Sequence, residues 1–264
     1  LVRFSTPNLT SEGIRSNILS SLEKSFAGNP ASIQRLEMVG PKVGADLRNA
    51  ALEAMYFAIL LITVYISGRF EQRWMIAALM AAVLGSAMYV MGFLGMDMVY
   101  RVIGALALTL LISWKLKLNY ALGAIVGLLH DVLITLGLLA MMGKEIDLNI
   151  IAALMTLVGY SLNDTIIVYD RIRENRSLMG KKSTFEELVN HSVNQSARRT
   201  VITTVTTVMA LGVMCVISKL YGLDSIFTFA FPLMMGMISG VYTSLCVSTS
   251  AWVVWSERKK ADKN

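Results

Sequence analysis

The stretch Val158–Arg173, VGYSLNDTIIVYDRIR, decides how the rest of the chain is read. It begins inside a long apolar run, yet carries Asn163 and Asp164 side by side, and it leaves that run through Asp170, Arg171 and Arg173. An aspartate at the centre of a membrane-spanning helix costs about 2.5–3.5 kcal/mol on insertion scales, so one placed there marks a function or a specific partner. On a helix, Tyr160, Asn163, Asp164, Ile167 and Arg171 fall at i, i+3, i+4, i+7 and i+11 and share one stripe. That stripe is expected to face protein or a wet cavity rather than lipid.

The composition outside this stretch is that of a polytopic membrane protein. Of 264 residues, 55% are hydrophobic and only 16% charged, and the mean hydropathy is +0.59. A soluble domain of this length carries more charge and shorter apolar runs. Seven apolar segments are legible, at roughly 50–67, 74–95, 99–114, 120–141, 148–169, 200–218 and 225–253, against the ~20 residues that span the hydrocarbon. The third is short and begins beside Arg101, which leaves a re-entrant hairpin open. Trp74, Trp114, Tyr120, Tyr221, Trp252 and Trp255 sit near segment ends, as interfacial aromatics do.

The net charge of +6 does not point to nucleic acid, because most of it lies in short loops beside apolar segments. On one side are Arg69 and Arg73, Lys115 and Lys117, seven Lys or Arg in 170–199 and four in 256–264, fifteen in all. The other side holds Arg101, Lys144 and Lys219. The positive-inside bias then makes the 170–199 loop and the 256–264 tail cytoplasmic, with residues 1–49 in the periplasm. Cys215 and Cys246 both lie in apolar runs, so the sequence offers no disulfide framework, zinc site or redox motif. There is no Walker A sequence, so energy coupling must be ionic or supplied by a partner.

Residues 1–49 are polar. Thr10 or Ser11 can cap a helix through about Phe26, with Ile14, Ile18, Leu22 and Phe26 on one stripe. Gly28–Pro30 ends it, and Ser32–Val39 is a weak strand candidate. A lone helix and strand cannot bury a core, so 1–49 is expected to be the C-terminal part of a small α/β domain. The chain opens at LVRFSTPN without a Met, and a further N-terminal portion is expected to precede it.

Four motifs carry a family resemblance: VGPKVGADL (Val39–Leu47), GLLHDVLIT (Gly127–Thr135), EIDLNIIAALMTLVGYSLNDTIIVYDRIREN (Glu145–Asn175) and SVNQSARRTVITTVTT (Ser192–Thr207). They resemble those of the SecF family, the smaller half of the bacterial SecDF protein-export complex and a member of the RND-type transporters. The resemblance implies a mainly α, polytopic RND-type bundle over residues 50–255 with a truncated periplasmic α/β domain, in the bacterial cytoplasmic (inner) membrane. It also implies a non-enzymatic accessory of protein translocation that works with SecD and the SecYEG channel on unfolded preproteins. The proton-motive force would drive it, without a cofactor or metal, though Na⁺ would serve as a coupling ion as well. SGRFEQRW (Ser67–Trp74) and SWKLKLNY (Ser113–Tyr120) both look like the family's turn into the helix with the His-Asp pair. A helical hairpin inserted near 74–118 follows, and two added crossings preserve the sidedness of what comes after. The hairpin would serve as a lipid-facing accessory or as a partner-binding element.

Within this resemblance Asp164 is the candidate proton switch, about 24 Å along its helix from Leu148 at ~1.5 Å per residue. The alternative is a polar contact that only fastens helices. Arg199 is the counter-ion by its place after SVNQ, or an ordinary positive-inside arginine. Arg198 stands where the family has a small residue, so the two arginines could share the role. Asn163 is expected to tune Asp164 by hydrogen bonding, and Tyr160 shares its stripe. Thr200, Thr203, Thr206 and Thr207 would hold water or relay protons, or simply bond back to i−4 carbonyls. Asp131, about 16 Å in from Tyr120, either lines a proton route or locks segment four to segment five. His130 is expected to be a satisfied core histidine rather than one half of a dyad with Asp131, since neighbouring residues point to different helix faces. Gly123/Gly127 and Gly236/Gly240 fit close helix packing. A short helix is expected along the cytoplasmic face at 183–197, with Phe185, Leu188 and Val189 turned to the membrane. The competing reading is a proton-coupled small-molecule exporter subunit of the RND class. An intramembrane aspartyl protease is excluded by the lack of a GxGD sequence.

Overall fold

The computed structural model describes residues 11–25, 41–144, 146–179 and 184–261. The chain divides into two units, Leu1–Ala50 and Ala51–Asn264. In the first, helix α1 (Ser11–Ser25) and the opening turns of α2 (Pro41–Glu71) are described. Pro41 suits a first helical position, where its missing N–H has no partner to lose. The Thr10 cap, the Gly28–Pro30 stop and the Ser32–Val39 strand lie outside the described residues.

The second unit continues with α3 (Trp74–Phe93), α4 (Met98–Lys115), α5 (Asn119–Met141), α6 (Leu148–Met179), α7 (Phe185–Leu220), α8 (Asp224–Tyr242), a π-helical turn (Thr243–Val247) and α9 (Ser248–Ala261). Among the described residues, seven stretches are long and apolar enough to cross a membrane, with α8, the π-turn and α9 forming one of them. Helices α3 and α4 have 20 and 18 residues, about 30 and 27 Å at the helical rise, so the third apolar segment is one unbroken helix long enough to span.

The joints of this α3–α4 hairpin are unusual. Gln72 and Lys117, just before and just after it, adopt left-handed backbone angles (φ 55° and 56°), which costs a non-glycine residue about 1–2 kcal/mol. Hydrogen bonds hold the two joints side by side. The Arg73 guanidinium donates to the Leu116 carbonyl at 2.9 Å, and the Glu71 carboxylate accepts from the Tyr120 N–H at 3.1 Å. The end of α2 therefore touches the start of α5, and the chain between them makes a detour that returns to its starting point.

Helix α6 is the most enclosed. Over its most apolar window 56% of residues are buried, against 22% for α3 and for α7. Close approach to it and to α5 is made at the glycines. A Cβ on Gly236 would strike Leu157 of α6. One on Gly123 would collide with the Tyr169 hydroxyl and lie 2.8 Å from the Ser248 carbonyl. At the end of the bundle rich in Arg and Lys, aromatic rings tie five helices together. Phe70 stacks on Tyr120, Tyr120 meets Tyr169 edge-on at 5.2 Å and Trp252 at 5.0 Å, and Phe185 stacks on Trp252 at 4.9 Å.

The expected loop at 170–199 is largely helical. α6 runs on to Met179 and α7 starts at Phe185, so the short surface helix at 183–197 is instead the first part of a 36-residue rod. Thr184 and Glu187 form a capping box that starts it. Leu188 and Val189 are buried in the bundle rather than turned to lipid. The buried Asn175 amide donates to Ser192 at 2.9 Å and to Gln195 at 3.0 Å, holding the two extensions together.

Substituting Gly123 by Ala is expected to lower the melting temperature in detergent, because overpacking costs about 1–3 kcal/mol. Gly137 has open space around its missing Cβ, so Gly137→Ala should be neutral or raise it by the helix-propensity gain of about 0.8–1 kcal/mol.

Candidate functional site

The α6–α7 pairing sets the level of every polar residue between them. The Tyr160 and Thr207 hydroxyls are 3.3 Å apart, and Asn175 meets Ser192. Fifteen residues separate the two contacts on each helix, so the helices run antiparallel without slippage. Asp164, four residues on from Tyr160, is then level with Thr203 and Thr204. Arg199, four further back on α7, lies about one turn nearer the Arg- and Lys-rich end.

The Asp164 carboxylate is only 3% exposed. Among the described residues no hydrogen bond or ion pair reaches it, and Arg199 on the neighbouring helix is exposed. Burying a charge is costly unless it is paired, so this carboxylate must hold a proton or be met by a cation. Thr200 and Thr204 are buried on the facing side of α7, and their hydroxyls have no hydrogen-bond partner. Thr204 is thus an orphan donor at the level of an unpartnered carboxylate, and Thr200 is a second one nearly a turn closer to the Arg- and Lys-rich end. The sequence reading grouped Thr200 with Thr203, Thr206 and Thr207 and passed over Thr204; the four-residue spacing of Ser192, Ser196, Thr200 and Thr204 would have revealed the buried face.

The remaining α6–α7 residues divide differently from the expected stripe. Asn163 is exposed and makes no hydrogen bond to Asp164, because a 100° step around the helix puts it outside the seam. Arg198, Arg199, Thr203 and Thr206 are exposed, while Tyr160 and Thr207 are half-buried. Thr203 donates back to the Arg199 and Thr200 carbonyls, and Thr206 and Thr207 donate to the Thr203 carbonyl. These hydroxyls are thus occupied within their own helix.

A second polar group lies between α5, α6 and the π-turn. Asp131 is 1% exposed. Its Oδ2 accepts a short hydrogen bond from the Ser161 hydroxyl, while its Oδ1 has no hydrogen-bond partner. Thr135 donates to the Asp131 backbone carbonyl rather than to the carboxylate. His130 nevertheless sits beside Asp131: its Nδ1 lies 3.7 Å from Asp131 Oδ1 and 2.9 Å from the Thr243 hydroxyl. Among the described residues no group of three His, Cys, Asp or Glu converges as a metal site would need.

With the native cysteines replaced, a Cys pair at Asp164 and Thr204 is expected to cross-link under mild oxidation, and a pair at Asp164 and Leu211 is not. Loss of both free thiols to a maleimide-polyethylene glycol label, seen as a missing band shift on a gel, reads the result, and the register is wrong if the second pair forms instead.

The chain matches the family described as "Protein export membrane protein SecD/SecF, C-terminal" over residues 19–111 and 96–258. It is 31% identical over 260 residues to the protein translocase subunit SecF of Calditerrivibrio nitroreducens, covering 97% of this chain and 68% of that protein. It is 31% identical over 238 residues to the SecF subunit of Pseudomonas aeruginosa, covering 90% and 61%. The crystal structure of SecDF from Thermus thermophilus, a translocon-associated membrane protein, superposes with a TM-score of 0.62 at 29% identity, over 95% of this chain and 27% of that one. A SecDF crystal structure in a super-membrane-facing form gives a TM-score of 0.52 at 36% identity, over 63% and 22%. The chain thus spans about three-fifths to two-thirds of these SecF relatives and roughly a quarter of the SecDF chains. It is a multi-pass membrane protein of the SecD/SecF protein-export family, on the SecF side of that family.

Proposed function

We propose that the chain is part of a proton-driven accessory subunit of Sec-dependent protein translocation, working with SecD beside the SecYEG channel on unfolded preproteins. The observation that carries this reading is the α6–α7 seam. Asn163, Arg198, Arg199, Thr203 and Thr206 are exposed beside a buried, unpartnered Asp164, on helices otherwise apolar enough to span a bilayer. A polar face of this kind is not stable against lipid. A second helical bundle, for which a SecD-type subunit is the family's supply, would cover it and could bring Arg199 or its own groups to Asp164. The fifteen-to-three charge bias supports a cytoplasmic C-terminus in the inner membrane, with residues 1–49 periplasmic. A membrane potential is worth about 2.3 kcal/mol per charge per 100 mV. A few protons passing Asp164 can therefore bias a two-state bundle. The two family matches overlap at residues 96–111, most of them in α4, and α2 ends against α5; both support α3–α4 as a hairpin inserted into the family's pattern.

Export is the test. In cells depleted of their own SecF, the full-length parent should restore preprotein export. Asp164→Asn and Arg199→Met should assemble with SecD yet lose most of that stimulation. Thr204→Val, which removes an orphan hydroxyl without changing shape, should leave melting within about 1 kcal/mol of the parent and lower export. Undiminished export by an assembled Asp164→Asn would sink the proton-switch reading.

A further inference from the structure

The cluster around Asp131 has features that the α6–α7 seam does not use. The π-turn Thr243–Val247 breaks the helical ladder, with the Ser248 N–H bonding to the Thr243 carbonyl five residues back. Such turns recur at functional sites. This one carries Thr243 inward, onto His130 and beside the Asp131 carboxylate. The Thr243 hydroxyl donates to the Ser239 carbonyl at 3.1 Å. It has one proton to give, so toward His130 it accepts, from Nδ1–H at 2.9 Å. In the tautomer that fits both contacts, Nδ1 carries the hydrogen and Nε2 accepts. The His130 side chain is 32% exposed and its ring lies against the exposed Tyr242. The buried carboxylate is therefore linked to the α5–α8 surface through one ionisable ring.

We propose that His130, Thr243, Asp131 and Ser161 form a second proton-binding site, in which Asp131 stores the proton and His130 admits it. A proton adds at His130 Nε2 from the outer side. The ring nitrogen Nδ1 lies 3.7 Å from Asp131 Oδ1; as the charged ring turns from Thr243 and closes that gap, its Nδ1–H proton passes to the oxygen. The N–H bond breaks with its electron pair left on Nδ1, and an O–H bond forms on the oxygen that has no hydrogen-bond partner. The ring is left neutral with its hydrogen on Nε2. Ser161 stays on Oδ2 throughout and keeps the carboxyl group in place.

The surroundings favour a proton over a larger ion. A Cβ added at Gly240 would sit 3.5 Å from Oδ2 and 3.9 Å from Ser161, so α8 presses directly on the carboxylate. A metal cation would need several oxygens around it. Of the elements packed on Asp131, α5 contributes His130. α6 brings Ser161, with Asp164 the next ionisable residue along its buried face, and α8 and the π-turn bring Gly240 and Thr243, which carry no charge. His130 is thus the titratable group in direct reach.

The test uses infrared difference spectra of the full-length parent in lipid nanodiscs after a pH jump, so its outcome is independent of the export reading. The parent should show two carboxylic-acid C=O bands, one lost in Asp131→Asn and the other in Asp164→Asn. His130→Gln should slow the rise of the Asp131 band at least tenfold and leave the Asp164 band's rate unchanged, which a packing role for the ring would not do. Thr243→Val and Ser161→Ala keep the carboxyl group and should shift its band, so the site remains testable if Asp131→Asn does not fold. The proposal is overturned if no band responds to Asp131→Asn, Thr243→Val or Ser161→Ala. It is equally overturned if His130→Gln leaves the rate alone, or if Na⁺ at constant pH shifts the Asp131 band.

Discussion

In a bilayer interior no water is available to satisfy a polar group, so each one must find its partner inside the protein. In this chain that requirement falls most heavily on α6. Its buried side carries Ser161, Asp164, Thr165 and Asn175, and the helix is accordingly enclosed by α5, α7 and α8. The glycines of α5 and α8 let their neighbours come close enough to shield those groups. The aromatic rings that gather Phe70, Tyr120, Tyr169 and Trp252 then close one end. The architecture is thus arranged around polar groups as much as around an apolar core.

The polar inventory also explains why α7 is left so open. Between Val189 and Leu211, which are buried in the core at either end, its buried side narrows to Ser192, Ser196, Thr200 and Thr204, while Val201, Ile202, Val205 and Met209 face outward. A helix held on such a narrow stripe has few interlocking side chains across the seam. Asn175 anchors one end of that contact and the Tyr160–Thr207 pair lies fifteen residues away, with Asp164 between them.

Much of this was legible in the amino-acid order, and the limits have physical causes. Hydropathy marks the seven spans because lipid imposes a length on each. Gly123, Gly127 and Gly236 mark close approaches because a Cβ there would collide with a neighbouring helix, whereas at Gly240 it would meet only ordinary contacts. The extension of α6 to Met179 and the continuity of the helix expected at 183–197 with the span after it are not legible, because polar residues between apolar runs read as a loop. The facing of Asn163 against Asp164 turns on a single 100° step that a five-residue stripe cannot resolve. His130 and Thr243 are 113 residues apart in the chain, and their meeting depends on a turn with no recognised sequence signature.

That turn acts as a phase shift. One additional residue in a helical turn rotates everything beyond it by about 100° relative to a straight α-helix. Trp252, 1% exposed and wedged against Tyr120 and Phe185, lies beyond it on the same rod. With one residue fewer, Val253 would occupy that slot and the indole would swing away. The inserted residue is therefore what lets one rod both hold Thr243 against His130 and seat Trp252 among the rings. If the π-turn were ironed out into α-helix, α9 would have to turn like a screw against the aromatic rings. A chemical event at the middle of the bundle and the packing at its basic end are thus geared to each other through a single rigid shaft.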